Sequence, residues 1–256
     1  MRSGEVIFRH AEPVMGTVVS FDVRPQGLPM AATRAAVRCA CEALHRADEV
    51  FSLYRPDTPL WRLRRGELEL HECPPEVAEV WALCERARLL SDGWFDPWSL
   101  PGGFDPTGLV KGWAAREAAA VLEAAGLGAG LVNAAGDIAA FGAPWGRSPW
   151  RVGIRSPESA DLLLCVIELR GAVATSGDYE RGDHIWDVSN DCPAAGVASA
   201  TVCGPDLALA DALATGLVAA GGAGLDAVIE AGYQALLVLD DGKTVGTPGF
   251  PAPSAV

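Results

Sequence analysis

The sequence predicts an α+β fold, and three observations carry that prediction. Helical stretches and short strand runs are mixed without the regular strand–helix–strand alternation of a doubly wound sheet. Three strand-like runs follow one another closely between Trp150 and Ser176, as consecutive hairpin strands do. Half of the 256 residues are apolar, enough to bury a sizeable core in one large domain or two closely merged lobes.

Taken in order, Val18 to Val23 mixes β-branched and aromatic residues and stops at Arg24-Pro25, which predicts a strand. From Met30 to Ala47 the apolar residues Ala36, Val37, Ala40 and Leu44 recur at helical spacing with arginines between them. Asp48 to Asp57 is expected to leave that helix, because Pro56 cannot continue one. A second helix is predicted over Pro75–Leu90, with a proline suited to its first turn. Ser91 to Gly112 is rich in glycine, proline and aspartate and reads as irregular. Trp113 to Ala125 is a predicted helix ended by Gly126, and Ala129 to Ile138 a strand and turn. Strands over Trp150–Ile154, Leu163–Leu169 and Ala172–Ser176 follow. Helices over Pro205–Ala220 and Gly224–Ala231 and a closing strand at Ala235–Leu239 complete a unit spanning 1–247. Residues 248–256, with three prolines, are expected to form a loose tail.

Acidic residues exceed basic ones by 33 to 20, a field that repels nucleic acid and anionic bilayers, so neither is an expected partner. The same field opposes a dinucleotide, which needs a metal, backbone N–H groups or a local cation to bind. No signal-like apolar stretch opens the chain, and the apolar run Leu207 to Ile229 is broken by Asp211, Asp226 and Gly221-Gly222. A cytoplasmic protein without direct membrane insertion is expected. The seven cysteines contain no CxxC pair and read as inert thiols.

GxGxxG, Walker, HExxH and GxSxG signatures are missing. Three other constellations can carry chemistry. Asp211 and Thr215 lie four apart, on one helical face, and offer two hard oxygen donors suited to Mg²⁺. The same pair is also readable as a helix-start carboxylate and a hydroxyl bonded to its own backbone. Asp105 to Trp113 is a tight turn running into a helix whose first turn is expected to carry Lys111, an arrangement that is an anion site or an ordinary loop with a solvent-facing lysine. Thr175-Ser176-Gly177 followed by Arg181 and His184 reads as a polar pocket rim or as a hairpin turn.

In this order the segments resemble the ApbE-like FAD:protein FMN transferases, from Met15 to about Gly222. Met15-Gly16-Thr17 is similar to the family's opening M-G-T, Phe51 to Thr58 to F-S-x-Y-R-P-D-S, and Gly93 to Pro97 to G-x-F-D-P. Asp105 to Gly112 is similar to the D-L-G-G-I-A-K-G turn and Asn133 to Ile138 to N-x-G-G-D-I. Thr175 to Arg181 matches T-S-G-D-Y-E-R, His184 to Asp187 is similar to H-I-I-D, and Ala210 to Thr215 matches A-D-A-L-A-T. Pro106-Thr107-Gly108, Ala135 and Val188 to Asp191 depart from the pattern.

The resemblance implies an ApbE-like, T-fold-like arrangement of mixed antiparallel sheets with packed helices. It implies Mg²⁺ held by Asp211 and Thr215 side chains with the main-chain oxygen of Gly108. It implies an FAD site lined by Met15, Tyr54, Phe95, Asp96, Asp105, Lys111 and Ile185, with Thr175, Ser176 and His184 close to the ligand. FAD is then the substrate, and the partner is an acceptor flavoprotein or a flavinylated subunit of a membrane complex. Lys111 is expected to add positive charge at the phosphates and His184 to act as base. Asp211 is expected at an exposed or half-exposed helix position. The rival readings are an FAD hydrolase using the same site and a carrier that binds FAD without turnover.

Overall fold

A computed structural model describes residues 6–100, 102–146, 148–159, 161–177, 185–187 and 192–251. Strands β1 (Phe8–Val14) and β2 (Thr17–Arg24) form a hairpin whose turn residues, Met15 and Gly16, both have positive φ, 53° and 70°. That is the geometry of a tight type I′ turn, so the M-G-T motif is a hairpin tip. Helix α1 (Met30–Phe51) runs past its expected end at Ala47, because Val50 and Phe51 continue its buried stripe. A short α2 (Pro59–Arg64) is capped by Thr58, whose hydroxyl accepts the Trp61 N–H at 3.2 Å. Helix α3 (Pro75–Leu90) has the predicted limits.

Helix α4 (Thr107–Ala124) begins well before the expected start at Trp113. Lys111 therefore lies in its second turn, and the glycine-containing turn before it is the helix's own beginning. After α4 come β3 (Ala129–Ala134), β4 (Asp137–Gly142), β5 (Trp150–Arg155), β6 (Leu163–Leu169) and β7 (Ala172–Ser176). Short strands β8 (Trp186–Asp187) and β9 (Cys192–Pro193) pair with each other. Strand β10 (Val197–Gly204), α5 (Leu207–Ala220), α6 (Leu225–Glu230), β11 (Gln234–Leu239) and β12 (Thr244–Gly246) complete the chain.

Eight strands form one sheet in the order β1-β2-β3-β4-β7-β10-β11-β12, with every neighbouring pair antiparallel. Helices α4 and α5 lie on one face, α4 over β3 and β4 and α5 over β7 and β10, with α1 packed on α4. The β5–β6 hairpin supplies Trp150, Ile154 and Ile167 to a second core with Ile138, Val173 and Leu236 of the main sheet. Side-chain alternation along each strand thus serves two apolar layers. Leu207, Leu209, Leu213 and Leu217 of α5 are at most 2% exposed, and each contributes about 1.5–3 kcal/mol through burial.

Among the described residues one helical stretch, Leu207–Glu230, is long and apolar enough to cross a membrane by length and composition. Its first part is the core helix α5 just described. At the other end of the chain, Phe250 packs against the β5–β6 core.

Helices α4 and α5 approach closely at Gly112. A Cβ there would sit 2.6 Å from the Leu207 carbonyl oxygen and 2.8 Å from Asp211 Cβ, so only glycine permits this crossing. The approach lets the Gly112 N–H donate to Asp211 Oδ2 at 2.9 Å.

Candidate functional site

The loop after α3, the start of α4, the end of β7 and the middle of α5 come together in one place. They border an open cleft. Phe95, Asp96, Asp105, Gly108 and Lys111 line it from one side, and Thr175, Ser176, Ile185, Asp211 and Thr215 from the other. These residues are spread over more than a hundred positions of sequence, and the fold brings them together.

A polar corner of the cleft is on α5. Asp211 is 3% exposed, buried where a half-exposed position was expected, because the α4 crossing covers it. The role of helix-start carboxylate belongs instead to Asp206, whose Oδ1 accepts the Leu209 N–H at 3.1 Å. Asp206 Oδ2 also meets Arg116 at 2.9 Å. Asp211 is thus spared the capping task. One turn on, Thr215 Oγ1 lies 3.2 Å from Ser176 Oγ. Gly108 sits against this hydroxyl: a Cβ on it would be 3.2 Å from Thr215 Oγ1 and 3.1 Å from a Phe95 ring carbon. The Gly112 N–H is the ordinary helical donor to the Gly108 carbonyl, and its bond to Asp211 competes with that role. A carboxylate, a hydroxyl and a backbone carbonyl are all hard oxygen donors. They fit a small divalent cation such as Mg²⁺ and do not suit zinc.

Lys111 is held by a residue the sequence reading did not single out. Its ammonium lies 2.6 Å from Asp137 Oδ2, and Asp137 is fully buried at the start of β4. Asp137 Oδ1 accepts the Thr175 N–H at 3.0 Å, so one carboxylate joins α4, β4 and β7. The preceding turn is tight: Ala135 and Gly136 have φ of 53° and 101°, and Asn133 Oδ1 accepts the Gly136 N–H at 2.7 Å. Ala135 therefore holds a left-handed conformation that glycine adopts without strain, at a cost of about 1–2 kcal/mol. The N-x-G-G-D-I-like segment is what aims Asp137 at Lys111.

Thr175 and Ser176 part company on β7. Ser176 faces the helices and meets Thr215, whereas the Thr175 hydroxyl lies on the opposite face, 2.9 Å from Thr201 Oγ1. Only one of two adjacent strand residues can present its side chain to the same face. Asp96 is fixed by Arg88 at 2.9 Å and by the Trp98 N–H at 3.0 Å. Asp105 accepts the Thr107 N–H at 3.0 Å and meets the buried Arg64 at 3.2 Å. Both aspartates thus anchor the loop that forms the cleft wall.

Met15 and Tyr54 are not among the residues bordering the cleft. Met15 is at the β1–β2 hairpin tip, and Tyr54 is 94% exposed in the loop between α1 and α2. His184 lies outside the described residues. Trp94, Pro97 and Trp186 line the cleft and were not singled out, although all three stand inside motifs that were. Burial pushes the Cys84 and Cys203 thiols up, Cys203 to about 12, so neither is a thiolate nucleophile at neutral pH.

A profile of the ApbE family matches residues 15–101 and 101–237 of this sequence. The chain belongs to the ApbE family. A relative from Rhodobacter capsulatus, described as FAD:protein FMN transferase, is 36% identical over 169 residues, covering 57% of this chain and 32% of the relative. One of the same description from Vibrio cholerae is 33% identical over 152 residues, covering 54% of this chain and 46% of the relative. The matched segments thus span less than half the length of these curated relatives. Among solved structures, the ApbE protein of Thermotoga maritima matches with a TM-score of 0.84 at 25% identity, over 95% of this chain and 97% of that one. The flavin transferase ApbE of Vibrio cholerae matches with a TM-score of 0.81 at 21% identity, over 96% and 98%. The mixed sheet with its helices on one face is accordingly the ApbE fold, formed here by a single compact unit.

Proposed function

We propose that this ApbE-family protein transfers FMN from FAD to a Thr or Ser hydroxyl of an acceptor protein, forming a phosphoester and releasing AMP in a Mg²⁺-dependent reaction. The observation that carries this reading is the meeting of the Asp211–Thr215–Gly108 oxygen corner with Lys111 in one cleft. The descriptions of the two curated relatives support it.

Among the described residues, Asp96, Asp105 and Asp211 line the cleft and Lys111 is the lining cation, itself paired with Asp137. A dianionic diphosphate placed among these carboxylates is repelled unless a divalent cation accompanies it. Mg²⁺, when bound by Asp211, Thr215 and the Gly108 carbonyl, supplies Lewis-acid neutralisation of the diphosphate. Lys111, held by Asp137, keeps an ammonium fixed at the cleft wall and adds charge stabilisation without reorganising. Phe95 and the indoles of Trp94 and Trp186 offer apolar surface to the flat rings of FAD.

In the transfer the acceptor oxygen bonds to the FMN phosphorus while the bond from that phosphorus to the bridging oxygen breaks. The electron pair leaves with AMP. His184, next in sequence to the cleft residue Ile185, is the base we propose for the hydroxyl proton, having a free pKa near neutrality. We assign the activity to one unit over residues 1–247. The seven free cysteines suit a reducing, cytoplasmic setting. The acceptor is a flavoprotein or a flavinylated membrane-complex subunit presenting its hydroxyl to the open cleft.

Release of AMP separates transfer from hydrolysis. With FAD and Mg²⁺ alone it is expected to be slow, and a Thr- or Ser-bearing acceptor should accelerate it at least about tenfold. His184→Ala should lower the accelerated rate by about 10²–10⁴-fold with little change in FAD affinity. Fast release without an acceptor, unchanged when one is added, would assign the site to a hydrolase.

A further inference from the structure

A second set of metal-ligating side chains lies away from the cleft, between the edge strand β1 and helix α1. The inward face of β1 carries Phe8, His10, Glu12 and Val14, so two polar residues interrupt a face whose ends pack on the core. Opposite them α1 presents Cys41 and His45, four apart and therefore on one helical face. His10 Nε2 lies 3.0 Å from Glu12 Oε2, and His45 Nε2 lies 2.8 Å from Glu12 Oε1. One ligand atom from each of His10, Glu12 and Cys41 falls within 4.8 Å of the other two. Cys41 is 7% exposed. None of these residues borders the cleft.

An imidazole nitrogen, a carboxylate oxygen and a cysteine sulfur are a mixed donor set that Mg²⁺ does not choose and that suits zinc. Tetrahedral zinc, with bonds of about 2.0–2.3 Å, needs its ligand atoms about 3.3–3.8 Å apart, a spacing the cluster can reach by side-chain adjustment. We infer that His10, Glu12 and Cys41 form a zinc site that ties the edge strand β1 to α1, with His45 as the positioning residue that holds Glu12 by its other oxygen. The fourth position is left to water. The protein then sorts two metals by donor chemistry, Mg²⁺ at the oxygen corner and Zn²⁺ here. The zinc site stands independently of the transferase reading, since it shares no residue with the cleft.

The test is titration of the metal-stripped full chain, in Mg²⁺, with Co²⁺ and then Zn²⁺. We expect one Co²⁺ per chain with a thiolate-to-cobalt charge-transfer band, displaced by Zn²⁺, and a rise in thermal midpoint on adding Zn²⁺. Cys41→Ser should lose the band, and Glu12→Gln the thermal shift. His45→Ala should keep the band with affinity weakened about 10–100-fold, as outer partners of metal ligands do. His10 is 37% exposed in its side chain, so His10→Ala should abolish tight binding in a protein whose circular dichroism is unchanged. Cys39→Ser, altering an exposed thiol on the same helix, should bind as the parent does. Absence of tight Co²⁺ binding, a band that survives Cys41→Ser, or one that disappears with Cys39→Ser would overturn the assignment.

Discussion

Asp211→Asn is expected to lower FMN transfer by about 10²–10³-fold at a Mg²⁺ concentration that saturates the parent protein. Asparagine keeps the shape of the side chain and an oxygen that can still accept the Gly112 N–H, so the α4–α5 crossing should persist. What it removes is the negative charge that a hard cation requires. Asparagine is the informative replacement because Asp211 is buried; alanine would also leave a gap in a crossing where Gly112 has no space to spare. The check is a Mg²⁺ titration of transfer rate together with a thermal melt. A variant that melts like the parent and needs far more Mg²⁺ fits the ligand role. Unchanged turnover at equal Mg²⁺ would remove Asp211 from the site.

The second large effect concerns Lys111 and Asp137, and it needs a cycle of variants. Lys111→Met leaves the fully buried Asp137 carboxylate without its ammonium partner. Breaking one side of a buried pair costs about 3–5 kcal/mol, so this variant should lose stability as well as transfer. Combining Lys111→Met with Asp137→Asn removes the uncompensated charge and keeps an acceptor for the Thr175 N–H. The double variant should recover most of the lost stability and none of the transfer, because the cleft still lacks its cation. Denaturant melts and transfer rates for the three proteins decide it. Recovery of transfer in the double variant would make Lys111 a scaffold residue with no part at the phosphates.

Helices with a strong apolar stripe were legible in the sequence, and α3 has the limits its spacing predicts. Strand β10 was not. Its run Val-Ala-Ser-Ala-Thr-Val-Cys-Gly lies between β7 and β11 in the sheet, and its small residues carry no alternating pattern. Strand β1 was hidden for another reason: as an edge strand it tolerates Pro13, His10 and Glu12, which dilute the strand signal. The start of α4 looked like a loop because proline and glycine dominate it. Asp105 nevertheless receives the Thr107 N–H, and the helix proceeds through Gly108.

The site divides in the same way. The Asp211–Thr215 pair was visible because helical spacing alone puts both oxygens on one face. Asp137 escaped notice because its importance lies in a partner on another element, which no local pattern displays. The opposite directions of Thr175 and Ser176 follow from the strand periodicity of β7.

The most direct test of the proposed activity is the intact mass of a Thr- or Ser-bearing acceptor after incubation with this protein and FAD, with Mg²⁺ and with the metal chelated. The account predicts a gain equal to one esterified FMN on a hydroxyl residue, matched by released AMP and lost on chelation. AMP formed with no gain in acceptor mass, or the same gain with Mg²⁺ removed, would contradict it.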